Sequence, residues 1–189
     1  MKAATGTTHM TIASAAPPSV PRLRLEPTGS RRALLDGAWW PRGTDPAAEL
    51  PGLVLAIDKL RGPVIRLVLT AAGWDSHPSR LTVNGRVLRL GYFTSQPLCL
   101  LTAICADNER VDLLVVAPGT GSDTAAAAMT MAATTTNLVH AQDILLAVGT
   151  PALRAAVDNA PEDAWETDGG RTGPAPAPAE HRGAQASRG

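Results

Sequence analysis

The chain has 189 residues, no formal net charge and a hydrophobic share of 44%, enough for one core of ordinary size with tails. A charge balance of zero excludes a protein that grips nucleic acid by bulk electrostatics, because such proteins carry a basic excess. No run approaches the roughly 18 apolar residues of a membrane-spanning helix.

Residues 1–21 are rich in Ala, Thr, Ser and Pro and lack the apolar stretch of a signal peptide, so they are expected to be disordered. Met10 offers a second start. The run RLRLE, Arg22 to Glu26, alternates and predicts a short strand. Leu35 to Pro46, LDGAWWPRGTDP, reads as a loop. Asp45 then supplies an N-cap and Pro46 a first helical residue. Leu50, Leu53, Val54, Ile57 and Leu60 follow on one helical face, and Gly62-Pro63 stops the helix. Pro51 predicts a kink or a restart.

Val64 to Ala71 is an apolar, β-branched strand. RLTVNGRVLRLGYF carries the clearest local signal, an Asn84-Gly85 two-residue hairpin. Its geometry pairs Val83 with Arg86 and Leu81 with Leu88. Leu81, Val83, Leu88 and Leu90 then share one face, and Thr82, Val87 and Arg89 the other. LCLLTAIC and VDLLVVA form a second hairpin around ADNER. An Ala/Thr-rich helix follows from about Asp123 to Thr135, then a short one at AQDILLAV. Residues 150–189 are a Pro/Ala/Gly-rich tail, expected to be disordered.

Hairpins mean antiparallel pairing. The expectation is an α+β domain over residues 22–149: a curved antiparallel sheet of five or six strands with two helices packed on one face.

Few residues carry chemistry. Cys99 and Cys105 would lie about 20 Å apart along one strand, beyond the roughly 7 Å that a disulfide allows. They read as buried thiols in a reducing cytoplasm. No Cys/His cluster has metal-ligand spacing, so no cofactor is expected.

Trp39 and Trp40 are costly in a chain with one Phe and one Tyr. Adjacent extended residues point to opposite sides, so one plugs the core and the other faces a groove or solvent. Asp36 and Arg42 would form a polar rim. The competing account has both indoles closing the domain edge. Arg66 and Arg89 sit mid-strand; as neighbours they could hold a carboxylate or phosphate, or simply coat a solvated face. Of the 17 basic residues only Lys2 and Lys59 are Lys, so Arg abundance itself reads as coding bias. In GWDSHPSR, Trp74, Asp75, His77 and Arg80 share a loop, and Asp75 with His77 is an acid–base pair or a capped turn. APGTGSDTA has the context of an anion loop but no GK[ST], and Asp123 would repel phosphate.

The stretches RLRLEP, LDGAWWPRGTDPAAELPGLVLAID, NGRVLRLGYF and DLLVVAPGT resemble an uncharacterised family of small actinobacterial proteins, a domain of unknown function. DGAWWPR and GRVLRLGYF are its most specific pieces, and the resemblance runs from about Arg22 to Leu146. It implies a cytoplasmic bacterial domain with no assigned activity and hence no catalytic residues to carry over.

The expected function is a non-enzymatic binding or regulatory module. It would engage a protein partner or small anionic ligand through Asp36, Trp39, Trp40, Arg42, Arg66, Trp74 and Arg89, with no nucleic acid or membrane partner. The alternative is a small-molecule enzyme with Asp36, Asp75 or His77 as acid or base and an arginine-lined pocket. A pocket joining Asp75 or His77 to the arginines would favour the enzyme; an apolar patch around a Trp would favour the module.

Overall fold

Alternation along the strands sorts the side chains onto the two faces of a single sheet. The computed structural model describes residues 10–13, 17–29 and 32–149. Its strands are β1 Thr11–Ala13, β2 Arg22–Leu25, β3 Gly37–Trp40, β4 Val64–Thr70, β5 Arg80–Val83, β6 Arg86–Phe93, β7 Leu100–Cys105 and β8 Arg110–Val115. Its helices are α1 Pro46–Arg61, α2 Ser122–Ala132 and α3 Ala141–Ala147. None is long and apolar enough to cross a membrane.

The strands stand in the order β1-β5-β6-β4-β7-β8-β3-β2. The fold is α+β, but the sheet has eight strands and is mixed, correcting the expectation of five or six antiparallel ones. The two hairpins form as expected, with Asn84 and Gly85 both at positive φ in the β5–β6 turn. The parallel pairs are all non-local: β1 with β5, β4 with β6, and β3 with β8. After β4 the chain passes beyond its neighbour's slot, and the hairpin returns β6 into the gap. That return makes β6 parallel to β4.

Gly37–Trp40, expected as a loop, is strand β3, held between β2 and β8. A Cβ on Gly37 would stand 2.1 Å from the Arg24 carbonyl oxygen, so β2 and β3 can approach only over a glycine. Residues 11–13, in a segment expected from the sequence to be disordered, instead form an edge strand whose Ile12 packs against the core. The tail expected at 150–189 lies outside the described residues.

The helices lie on both faces rather than one, a second correction. Adjacent residues report it. Trp39 and Leu113 join Leu50, Leu53 and Ile57 of α1, whereas Ala38 and Leu114 join Ala125, Ala128 and Ala132 of α2 and Ile144 of α3. The alanine stripe lets α2 lie close to β3. The Asp45 carboxylate accepts from Ala47 N at 2.9 Å and caps α1, and one helix runs through Pro51 without a restart. Pro51 lies one turn in, where only the Ala47 carbonyl loses its partner.

Candidate functional site

Strands β3, β4 and β8 run the same way and end together, and between their carboxyl ends lies a cleft of about 250 Å³. Trp74, Leu98, Cys99, Val115 and Leu145 form its apolar wall, and Thr44 and Thr70 are its hydroxyl-bearing residues.

Each wall is fixed from behind. The Trp74 ring stacks on buried Trp39 with centroids 6.0 Å apart and planes 17° apart. The loop carrying Trp74 is tied down twice: Asp75 N donates to Thr44 O at 3.0 Å, and the Thr44 hydroxyl donates to Asp75 Oδ1 at 2.8 Å. On the β3 side the buried Glu49 carboxylate of α1 accepts from Arg42 N at 3.1 Å and Gly43 N at 2.9 Å. Trp40 points to the opposite face from Trp39, and its Nε1 donates to Ala117 O at 3.2 Å. Arg22 lies over the Trp40 ring at 3.5 Å and donates to Trp40 O and Pro41 O. Neither Trp39 nor Trp40 lines the cleft: Trp39 backs the Trp74 ring, Trp40 is tied to the Ala117 carbonyl, and Trp74 is the tryptophan that faces it.

The other candidates go elsewhere. Arg42 is exposed and donates to Val20 O. His77 Nε2 lies 2.6 Å from Ala71 O, and its ring meets Tyr92 edge-on at 4.8 Å. Asp75 and His77 therefore answer to different partners. Arg66 and Arg89 are exposed on the sheet face away from α1.

Asp36 sits at the far end of β3 from the cleft, in a hollow with Asp107, Glu109, Arg110 and Asp112. Its Oδ2 accepts from Asp112 N at 2.7 Å, and its own N donates to Asp112 O at 2.8 Å. Burial pushes its carboxyl above the usual carboxylate range, the Asp112 N–H pulls it back, and the charge of Asp112 adds to the rise. A carboxyl raised on folding binds its proton more tightly in the folded state. Stability therefore falls as pH climbs from the ordinary carboxylate value through the higher folded-state one. Asp36→Asn keeps an oxygen for Asp112 N and drops the charge. Thermal unfolding from pH 3 to 8 should show this variant losing less stability across that window, and at neutral pH it should match or exceed the parent.

Cys99 and Cys105 are both free and buried. Burial pushes the Cys99 thiol up. Burial, aided by the charges of Asp107 and Glu109, pushes Cys105 up to about 11. Among the described residues no three His, Cys, Asp or Glu side chains stand where they could hold a metal.

The sequence does not mark Thr44, Thr70, Leu98, Cys99, Val115 or Leu145 as binding residues. They come from five separate places in the chain, and no local pattern joins them. Trp74 was accessible as a rare aromatic in a polar loop.

Residues 22–132, from the start of β2 to the end of α2, match the model of a family of unknown function, DUF5994. No curated protein and no solved structure matches the chain.

Proposed function

We propose that this chain, which belongs to DUF5994, is a non-enzymatic binding module of the cytoplasm whose cleft beside Trp74 takes a small, largely apolar molecule. The observation that carries the reading is the make-up of the wall. It presents no Asp, Glu, His, Lys or Arg, and its single thiol is held protonated by burial. Catalysis needs titratable or nucleophilic groups that converge, and recognition of an apolar body does not. The two hydroxyls are already engaged, Thr44 with Asp75 and Thr70 as acceptor from Ala72 N. Two unpaired thiols suit a reducing compartment. The arginine-lined enzyme site has no such support: Asp75, His77, Arg66 and Arg89 all lie off the cleft wall.

Indole, titrated against the labelled protein, should shift the amide resonances of Thr44, Thr70, Gly73 and Ala117 with a Kd on the order of 1 mM, as expected for a body of that size. Leu98 is 52% exposed, so Leu98→Asp should leave the unfolding temperature almost unchanged. It sets a charge in the cleft and should abolish the shifts. Indole shifts that persist in Leu98→Asp, or none in the parent with any apolar molecule of this size, would overturn the reading.

A further inference from the structure

The arginines of the sheet form a single row. Arg80 of β5 stands opposite Arg89 of β6, and Arg89 stands opposite Arg66 of β4. Each alternates with a buried leucine of the α1 face: Leu81, Leu88 and Leu90, and Leu67. All three guanidinium groups therefore project from the other face. Strands lie about 4.8 Å apart, so the row spans about 10 Å. Like charges directly opposite one another on neighbouring strands are destabilising.

Most other described arginines have an acceptor. Arg22 has the Trp40 and Pro41 carbonyls, Arg61 has Glu26, Arg86 has Asp58, and Arg110 has Asp112 at 2.7 Å. Among the described residues none offers an acceptor to the side chains of Arg66, Arg80 or Arg89. All three are exposed.

The same face is covered at one end only. Helices α2 and α3 pack over β3, β2 and β8 and bury Ala38 and Leu114. Over β5, β6 and β4 no described element lies on it. Val87 is 60% exposed, Phe93 51% and Ile65 46%. Ile65 occupies the bulge between Val64 and Arg66, which turns both Ile65 and Arg66 outward. Sheet faces of this kind are ordinarily closed by a packed layer.

We propose that the face of β5, β6 and β4 docks an acidic amphipathic helix of another protein. Its carboxylates would pair with Arg66, Arg80 and Arg89, and its apolar side chains would lie on Val87, Phe93 and Ile65. One helical turn rises about 5.4 Å, close to the strand spacing, so carboxylates a turn apart meet successive arginines. A second copy of this chain would bring two arginine rows together and is disfavoured by charge. The interleaved apolar side chains and the absence of a basic excess favour a protein over a nucleic acid. This proposal is independent of the cleft, since none of these residues lines it.

The test uses the full chain and a fluorescent synthetic helix of about 16 residues built from Leu, Ala and Glu. Fluorescence anisotropy should show binding that weakens as salt is raised. The triple variant Arg66→Gln, Arg80→Gln, Arg89→Gln should bind at least tenfold more weakly. It should also unfold at a higher temperature than the parent, because the repulsion is gone. Arg110→Gln, whose charge is already partnered, should change binding less than twofold, and Leu98→Asp should not change it. Equal binding by the triple variant and the parent would overturn the proposal, as would equal binding of a Lys-for-Glu peptide. So would tighter binding of a single-stranded oligonucleotide than of the peptide, or self-association abolished by the triple variant.

Discussion

Replacing Trp39 by Ala should lower stability by about 3–5 kcal/mol, measured by denaturant unfolding as a fall in midpoint at constant slope. Trp39 is fully buried in the larger of the two cores, among residues of α1, β4, β7 and β8. The loss comes from transfer of the indole and from the cavity it leaves, because a sheet held on both sides cannot collapse onto the gap. Against a total of about 5–15 kcal/mol for an ordinary domain, this is a large share. The variant should also lose the cleft, since the Trp74 ring stacks on Trp39 and loses that support. Trp74→Ala separates the two effects. Trp74 is half-buried, so the loss of stability should be smaller while indole binding disappears. A loss below about 1 kcal/mol in Trp39→Ala would show that the cleft does not rest on this indole.

The contrast between the neighbours Trp39 and Trp40 shows what the sequence could convey. Their opposite directions follow from extended backbone alone. That the segment is a strand does not, because its four residues are held by β8, far along the chain, and by β2. The same division runs through the fold. The Asp45 cap acts within two residues, and the Asn84-Gly85 turn within four, so both were legible. The insertion of β6 beside β4 depends on which edge a finished hairpin meets, and no local pattern records that choice. For the same reason the sheet was expected to be antiparallel.

The candidate residues divide likewise. Arg66 and Arg89 could be recognised as mid-strand arginines, but their register, and the addition of Arg80 from what read as a loop, needed the non-local pairing. Trp74 could be recognised, but the strand ends that complete its cleft could not. In the sequence Glu26 is only the end of a short alternating strand. Its burial depends on three segments that meet around it.

Glu26→Ala should cost about 3 kcal/mol, an effect close to that of losing Trp39. Glu26 is 1% exposed. Its Oε1 accepts from Thr28 N at 2.9 Å and from the Thr28 and Thr135 hydroxyls, the last at 3.0 Å. Arg61, at the end of α1, donates to the Glu26 carbonyl at 2.6 Å and stands 3.9 Å from Oε2. One carboxylate thus links the end of β2, the last turn of α1 and the segment after α2. Truncation would leave the half-buried Arg61 guanidinium with the Glu26 carbonyl but no opposing charge, and would take the shared acceptor from the Thr28 N–H and two hydroxyls. A charged hydrogen-bond acceptor lost from a buried position costs more than a neutral one. Glu26→Gln separates the contributions. It keeps an oxygen for Thr28 N and the hydroxyls but removes the charge beside Arg61, so its loss should be about half as large. Thr135→Val should cost about 1 kcal/mol, because it removes one donor and leaves the others in place. Hydrogen exchange would locate the damage: in Glu26→Ala the amides of Glu26, Thr28 and the last turn of α1 should open well before those of β7 and β8. Uniform loss of protection across the sheet would instead make Glu26 part of the global core.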